Sequence, residues 1–157
     1  MKSVVIIPTY NEIENISNII TAVLNKKDKF HVLIVDDGSP DGTAKKVKEM
    51  IVSNPDRLFI EERKEKSGLG TAYIHGFKWA IKNNYDYIFE MDADFSHNPK
   101  ELKKKIEFFI KNDLDLLISS RYLESSKIIN WPIQRLVFSK LSNKLAQFLL
   151  NVGATDY

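Results

Sequence analysis

The chain has 157 residues, a formal net charge of +2, 43% hydrophobic and 28% charged side chains, and no cysteine. That length suits one domain around a single core, the charge balance asks for no nucleic-acid partner, and the missing thiols exclude disulfide scaffolds, thiolate zinc sites and cysteine nucleophiles. No apolar run reaches the ~20 residues of a membrane span, and the apolar stretch after Met1-Lys2-Ser3 is too short for a signal-peptide core, so a cytoplasmic protein is expected.

In chain order, short runs rich in Val and Ile alternate with longer amphipathic stretches. Val4–Ile7 reads as a first buried strand. Ile13–Leu24 follows as a helix, with Ile16, Ile19, Ile20 and Val23 on one face. Val32–Val35 and Thr43–Val52 form the second pair, the helix capped by Asp41 or Thr43. Leu58–Ile60 with Thr71–Ile81, then Tyr87–Met91 with Pro99–Ile110, continue the pattern, and Asn98 before Pro99 caps the last of these helices. Leu114–Ile118 reads as a fifth strand, and Trp131-Pro132 leads into a final helix. The alternation predicts an α/β fold with a mainly parallel sheet, helices on both faces through right-handed crossovers, and one domain over 1–157.

Ligands of such sheets bind beyond the carboxyl ends of the strands, and polar segments follow each predicted strand. In the doubly wound order 3-2-1-4, strands one and four meet at the switch point. Tyr10 and Glu12 then face Asp92 and Asp94 across one crevice. Asp92-Ala93-Asp94 sets two carboxylates around one small residue, a pattern that suits a hard cation such as Mg²⁺ or Mn²⁺ with places left for a diphosphate. Ser96 and His97 lie close enough to join them; the plain alternative is an acidic capping turn. Asp36-Asp37-Gly38-Ser39 offers acceptors for a base or ribose, with Gly38 and Gly42 permitting turns at positive φ, and part of it reads as a helix cap.

Ser67-Gly68-Leu69-Gly70 departs from a dinucleotide fingerprint, since Tyr73 stands where a third glycine belongs; a close-packed loop is expected there. His75 on the following helix reads as structural. Arg121, after Ser119-Ser120, and Arg135, one turn before Ser139, suit a phosphate. The apolar residues around Trp131, Phe138 and Phe148 suit either a core helix or a membrane-surface segment.

In combination, Pro-Thr-Tyr-Asn-Glu, Val-Asp-Asp-Gly-Ser-Pro-Asp-Gly-Thr, Gly-Leu-Gly-Thr-Ala-Tyr-Ile-His-Gly, Asp-Ala-Asp-Phe-Ser-His-Asn-Pro and Ser-Arg-Tyr resemble the family-2 inverting glycosyltransferases from Val4 to Tyr157. Among these, the chain is most similar to dolichyl (polyprenyl) phosphate mannosyltransferases. The resemblance implies a GT-A (Rossmann-like) fold and a nucleotide-sugar site of Pro8, Tyr10, Glu12, Val35, Asp37, Asp92, Ala93 and Asp94. It further implies metal binding by Asp92, Asp94 and Ser96, and an acceptor or donor phosphate held by Arg121, Arg135 and Ser139. Asp92, Asp94 and Arg121 are the expected catalytic residues. Relatives run on with a Thr-Ser-Gly-Phe-type continuation, so a catalytic domain truncated at its C-terminus is expected.

The implied reaction is metal-dependent transfer of mannose from GDP-mannose to a polyprenyl phosphate, at or near the cytoplasmic membrane face. UDP-glucose is the rival donor. The rival of another class is a receiver-like signalling domain phosphorylated at Asp36 or Asp37. Asp-x-Asp phosphatases and nucleotidyltransferases fit less well, because after the first strand this chain has Pro-Thr-Tyr rather than an acidic pair or a glycine-rich loop.

Overall fold

The structure, a computed structural model, describes residues 1–25, 29–120 and 132–150. It divides into two compact units, Met1–Lys104 and Lys105–Tyr157.

The first unit holds strands β1 (Ser3–Thr9), β2 (His31–Asp36), β3 (Leu58–Glu62) and β4 (Tyr87–Glu90), and helices α1 (Ile16–Leu24), α2 (Thr43–Ile51) and α3 (Leu69–Lys82). The strands pair in parallel in the order β3-β2-β1-β4. This is the doubly wound order in which strands one and four meet at the switch point.

Side chains alternate between the two faces of each strand. Val4, Ile6, Leu33 and Val35 meet Ala72 and Ala80 of α3 on one face, with Phe59, Phe77 and Trp79 packed around them. Val5, Ile7, Val32 and Ile34 point the other way and are fully buried, as are Ile16, Ile19, Ile20 and Val23 of α1 and Val47 of α2. Helices therefore cover both faces, and the predicted apolar stripe of α1 is the one buried. α3 lies very close to β1 at Gly76, where an added Cβ would stand 2.6 Å from Ile6 Cγ2.

α1 begins at Ile16 rather than Ile13, because the Glu12 carbonyl accepts both the Asn15 and Ile16 N–H groups and closes a turn first. Gly42 takes the N-cap position of α2 with φ +93°. The capping acceptor is supplied by Asp41, whose Oδ1 receives the Thr43 N–H at 2.9 Å. Asn98 caps as expected: its side chain accepts the Lys100 N–H at 3.0 Å, ahead of a 3₁₀ turn at Pro99–Glu101 and helix α4 (Leu102–Lys111).

Leu114–Ile118 is not a strand. The Leu114 N–H donates to the Phe109 carbonyl in the closing turn of α4, and Leu116 and Ile118 are 72% and 46% exposed. Asp115 interrupts the apolar run.

The second unit carries helix α5 (Ile133–Leu150). Asn143 is buried there, while Val137, Phe138, Leu141, Leu145, Phe148 and Leu149 are exposed. No helix among the described residues is long and apolar enough to cross a membrane.

Candidate active site

The crevice opens where two strand pairings stop at different heights. β1 pairs with β2 up to Thr9↔Asp36 but with β4 only up to Ile6↔Glu90. The Ile6 carbonyl accepts the Met91 N–H, so even-numbered residues of β1 address β4. The next of these is Pro8, which has no N–H to offer, and a central strand tolerates proline only where its ladder ends. Beyond it a cavity of about 310 Å³ is lined by Pro8, Thr9, Tyr10, Glu12, Asp37, Lys66, Leu69, Ala72, Asp92, Ala93 and Asp94.

Seven of the residues singled out in the sequence thus meet in one place. Val35 is not among them; it is fully buried beneath the site in the core against α3. Ser96 does not line the cavity, but its Oγ donates to Asp92 Oδ2 at 3.3 Å and its N–H to Asp94 Oδ1 at 2.8 Å. Arg121 lies outside the described residues, as does the side chain of Arg135. Ser139 is on α5, in the second unit.

The loop carrying Tyr10 and Glu12 is held by the loop after β2. The N–H of Asn11 donates to Ser39 Oγ, that of Glu12 to Thr43 Oγ1 and that of Ile13 to Asp41 Oδ2, each at 3.0 Å. Asn11 sits at φ +61°, a left-handed conformation that asparagine adopts more readily than most residues.

The paired aspartates after β2 divide their work. Asp36 is buried and structural: it accepts from Thr9 Oγ1 at 2.8 Å, Ser39 Oγ at 2.6 Å and the Ser39 N–H at 2.9 Å. Asp37 faces the crevice and is gripped by a guanidinium fork, with Arg63 Nε 2.6 Å from Oδ1 and Nη2 2.7 Å from Oδ2. The same Arg63 donates to Thr71 Oγ1 at 2.8 Å, and the hydrogen bond to Asp37 raises its already high pKa.

Around Asp92, the Tyr73 hydroxyl donates to Oδ1 at 3.3 Å. Burial, then the charges of Asp92 and Glu90, push the Tyr73 phenol far above its ordinary range, so it remains a proton-bearing donor. The Asp92 N–H donates to His97 Nδ1 at 3.2 Å. The Ser96 N–H holds the Asp94 carboxyl below the ordinary carboxylate range against the opposing effect of burial. Glu90 is shifted the other way, first by burial and then by Asp92. Phe95, between Asp94 and Ser96, has φ +63°, a strained value for a bulky residue that fixes the turn on which the carboxylates sit.

Among the described residues no three His, Asp or Glu side chains gather around a common point. A hard cation here would therefore take the two carboxylates Asp92 and Asp94, with Ser96 beside them, and fill its remaining places from ligand and water. An exposed Asp94 held in its charged form suits that donor set.

One expectation changes. The Ser67–Gly70 segment is not close-packed: a Cβ added at Gly68 or Gly70 would meet nothing within 4 Å, and Gly68 is needed instead for its φ of +98°. The close contact falls at Gly76, further along the same motif. Arg63, Lys66 and Tyr73 are site residues that the motif reading passes over. Arg63 directly follows β3, at the strand end where polar residues carry the most information. His75 does not line the cavity, and its Nε2 lies 3.0 Å from Glu61 Oε2.

The parallel sheet and its helices match solved GT-A glycosyltransferases, so the fold is of the GT-A class, with the paired carboxylates at the switch point. The chain belongs to glycosyl transferase family 2, whose profile matches residues 4–157. It is 44% identical over 155 residues to polyprenol monophosphomannose synthase of Mycolicibacterium smegmatis, covering 99% of this chain and 58% of that protein. It is 37% identical over 156 residues to undecaprenyl-phosphate mannosyltransferase of Micrococcus luteus, covering 99% and 63%. The chain thus spans about three fifths of the length of these relatives. The crystal structure of S. aureus TarS 1-349 matches with a TM-score of 0.63 at 25% identity, over 83% of this chain and 39% of that one.

Proposed function

We propose that these residues form the nucleotide-sugar side of an enzyme that transfers mannose from GDP-mannose to a polyprenyl phosphate with inversion, using Mg²⁺ or Mn²⁺. The observation that carries the proposal is the meeting of Tyr10, Glu12 and Asp37 with Asp92, Ala93 and Asp94 in one crevice at the switch point. The two relatives described above are named for mannosyl transfer onto polyprenyl phosphates.

Tyr10, Glu12 and Asp37 receive the nucleoside, with Pro8 and Ala93 shaping the wall and Val35 seating the end of β2 from below. Asp92, Asp94 and Ser96 hold the divalent cation, which when bound offsets the charge developing on the departing diphosphate. Tyr73 and His97 keep Asp92 in place. A phosphate oxygen of the acceptor is already ionised at neutral pH, so attack on the anomeric carbon needs positioning and charge stabilisation rather than a strong general base. Arg121, Arg135 and Ser139 keep the acceptor-phosphate role that the family resemblance gives them, and residues 1–157 are read as part of one catalytic domain.

The exposed apolar side of α5 carries Lys140 and Lys144 and no acidic residue anywhere along the helix. This favours peripheral contact with the cytoplasmic face of a membrane. Flotation with anionic vesicles tests it: Phe138→Ser with Phe148→Ser should release the protein, and unchanged flotation would remove the idea. The receiver-like alternative gains no support, since Asp36 is engaged by Thr9 and Ser39 and Asp37 by Arg63.

Calorimetric titration of the full-length protein with GDP-mannose, with and without Mn²⁺, tests the main proposal. Asp94→Asn should abolish the metal-dependent part of the affinity, and unchanged metal dependence would defeat it. Competition by GDP against UDP decides the donor.

A further inference from the structure

We propose that Lys66, through its ammonium, holds the diphosphate of the nucleotide-sugar donor. The inference rests on the donor reading above and assigns a cation that the family motifs do not mark.

The crevice has an imbalance of charge. Four carboxylates line it, those of Glu12, Asp37, Asp92 and Asp94, and Lys66 is the only cationic lining residue among those described. Arg63 neutralises Asp37 from behind. A divalent cation on Asp92 and Asp94 offsets no more than that pair, so a diphosphate entering beside Glu12 still meets net negative charge. Repulsion of that kind is strongest in a crevice with low-dielectric walls. One further cation within reach of the phosphates resolves it.

Lys66 has the position and the freedom to serve. Its Nζ stands 4.4 Å from the centroid of the Tyr10 ring, which places the ammonium at the mouth, over the aromatic face available to a base. Tyr10 is itself held in place by the tethered N–H groups of Asn11, Glu12 and Ile13. The loop bearing Lys66 runs from Arg63, anchored on Asp37, to Gly68, whose φ of +98° turns the chain into α3. Both ends of the loop are fixed and the side chain between them is exposed. A four-carbon stem with a compact charge can leave the ring face as a base arrives and move to the phosphates. The Tyr10 contact is thus the resting position of a mobile phosphate ligand.

The test is calorimetry on the full-length protein in Mg²⁺, comparing nucleoside diphosphates (GDP and UDP) with the nucleosides guanosine and uridine. Lys66→Met should weaken binding of the preferred diphosphate about tenfold, the effect of one charge-assisted contact, and leave nucleoside affinity within about twofold. Lys66→Arg should restore most of the loss. Lys66 is exposed, so the thermal midpoint should not move. Unchanged diphosphate affinity in Lys66→Met, or an equal loss for nucleoside and diphosphate, overturns the assignment while leaving the donor reading intact. Failure of the unsubstituted protein to bind either diphosphate overturns both.

Discussion

Replacing Arg63 by Met should expose how far one ion pair organises the Asp37 side of the crevice. The guanidinium and the Asp37 carboxylate are 14% and 7% exposed and meet as a fork, the strongest geometry for such a pair. Removing one partner of a fully buried pair costs about 3–5 kcal/mol, because the other charge stays behind without compensation. Asp37 borders a crevice that water can enter, so the expected cost of Arg63→Met is lower, about 2–4 kcal/mol. For a chain of 157 residues this corresponds to a fall of roughly 5–15 °C in Tm. Asp37→Asn should cost less, about 1–2 kcal/mol, since the long Arg63 side chain can swing towards solvent. The double variant should then be less destabilised than the sum of the two, with a coupling of at least about 1.5 kcal/mol. Urea denaturation followed by circular dichroism measures all three, with the slope of the transition checked for constancy. Additivity within about 0.5 kcal/mol would show that the fork contributes nothing as a pair, and the reasoning would fail.

Two glycines of α3 should respond to alanine with opposite signs. Gly76→Ala drives a Cβ to 2.6 Å from the buried Ile6 Cγ2, and overpacking of about 1–3 kcal/mol should outweigh the gain in helix propensity of about 1 kcal/mol. Gly70→Ala, with nothing within 4 Å, should be neutral or stabilise by up to about 1 kcal/mol; thermal denaturation checks both. His31 should make the fold sensitive to mild acid. Burial first, then the charges of Lys2 and Arg57, depress its pKa below the ordinary value, and its Nδ1 lies 2.8 Å from the Tyr85 hydroxyl. Its contribution is therefore complete above about pH 6.5 and is lost as pH falls from there towards the lower folded value. His31→Gln should flatten that part of the stability profile measured by urea denaturation, and an unchanged profile would show that another group is responsible.

The alternation of strands with helices and the buried helix faces were legible because both depend on periods. Val4–Ile7 and Val32–Val35 are short, Val- and Ile-rich runs that suit buried strands, and the spacing of Ile16, Ile19, Ile20 and Val23 puts them on one helical face. The crevice was legible for a topological reason: residues at strand ends next to the switch point must face one another. Ionic partners were harder to see. Arg63 and Lys66 sit in a stretch of alternating charge, Glu61 to Lys66, that reads equally well as solvated loop. Nothing local says which guanidinium will fold back on Asp37, 26 residues away. Leu114–Ile118 misled because a short apolar run reports a preference for burial and not a particular backbone conformation. The glycines of the Gly-Leu-Gly motif misled because letters alone do not separate a glycine needed for its φ from one needed for its missing side chain.

The three tethers from Ser39, Thr43 and Asp41 to the backbone of Asn11, Glu12 and Ile13 join two loops that arise from different strands. Neither can lift away without breaking consecutive links at once, so the pair should open as a single cooperative element. Tyr10 and Asp37, one on each loop, are thereby tied to one another. Under the function proposed above, ligand binding would have little conformational freedom left to lose, and a change at Ser39 or Asp41, neither of which borders the cavity, would act on it through the spacing it alters.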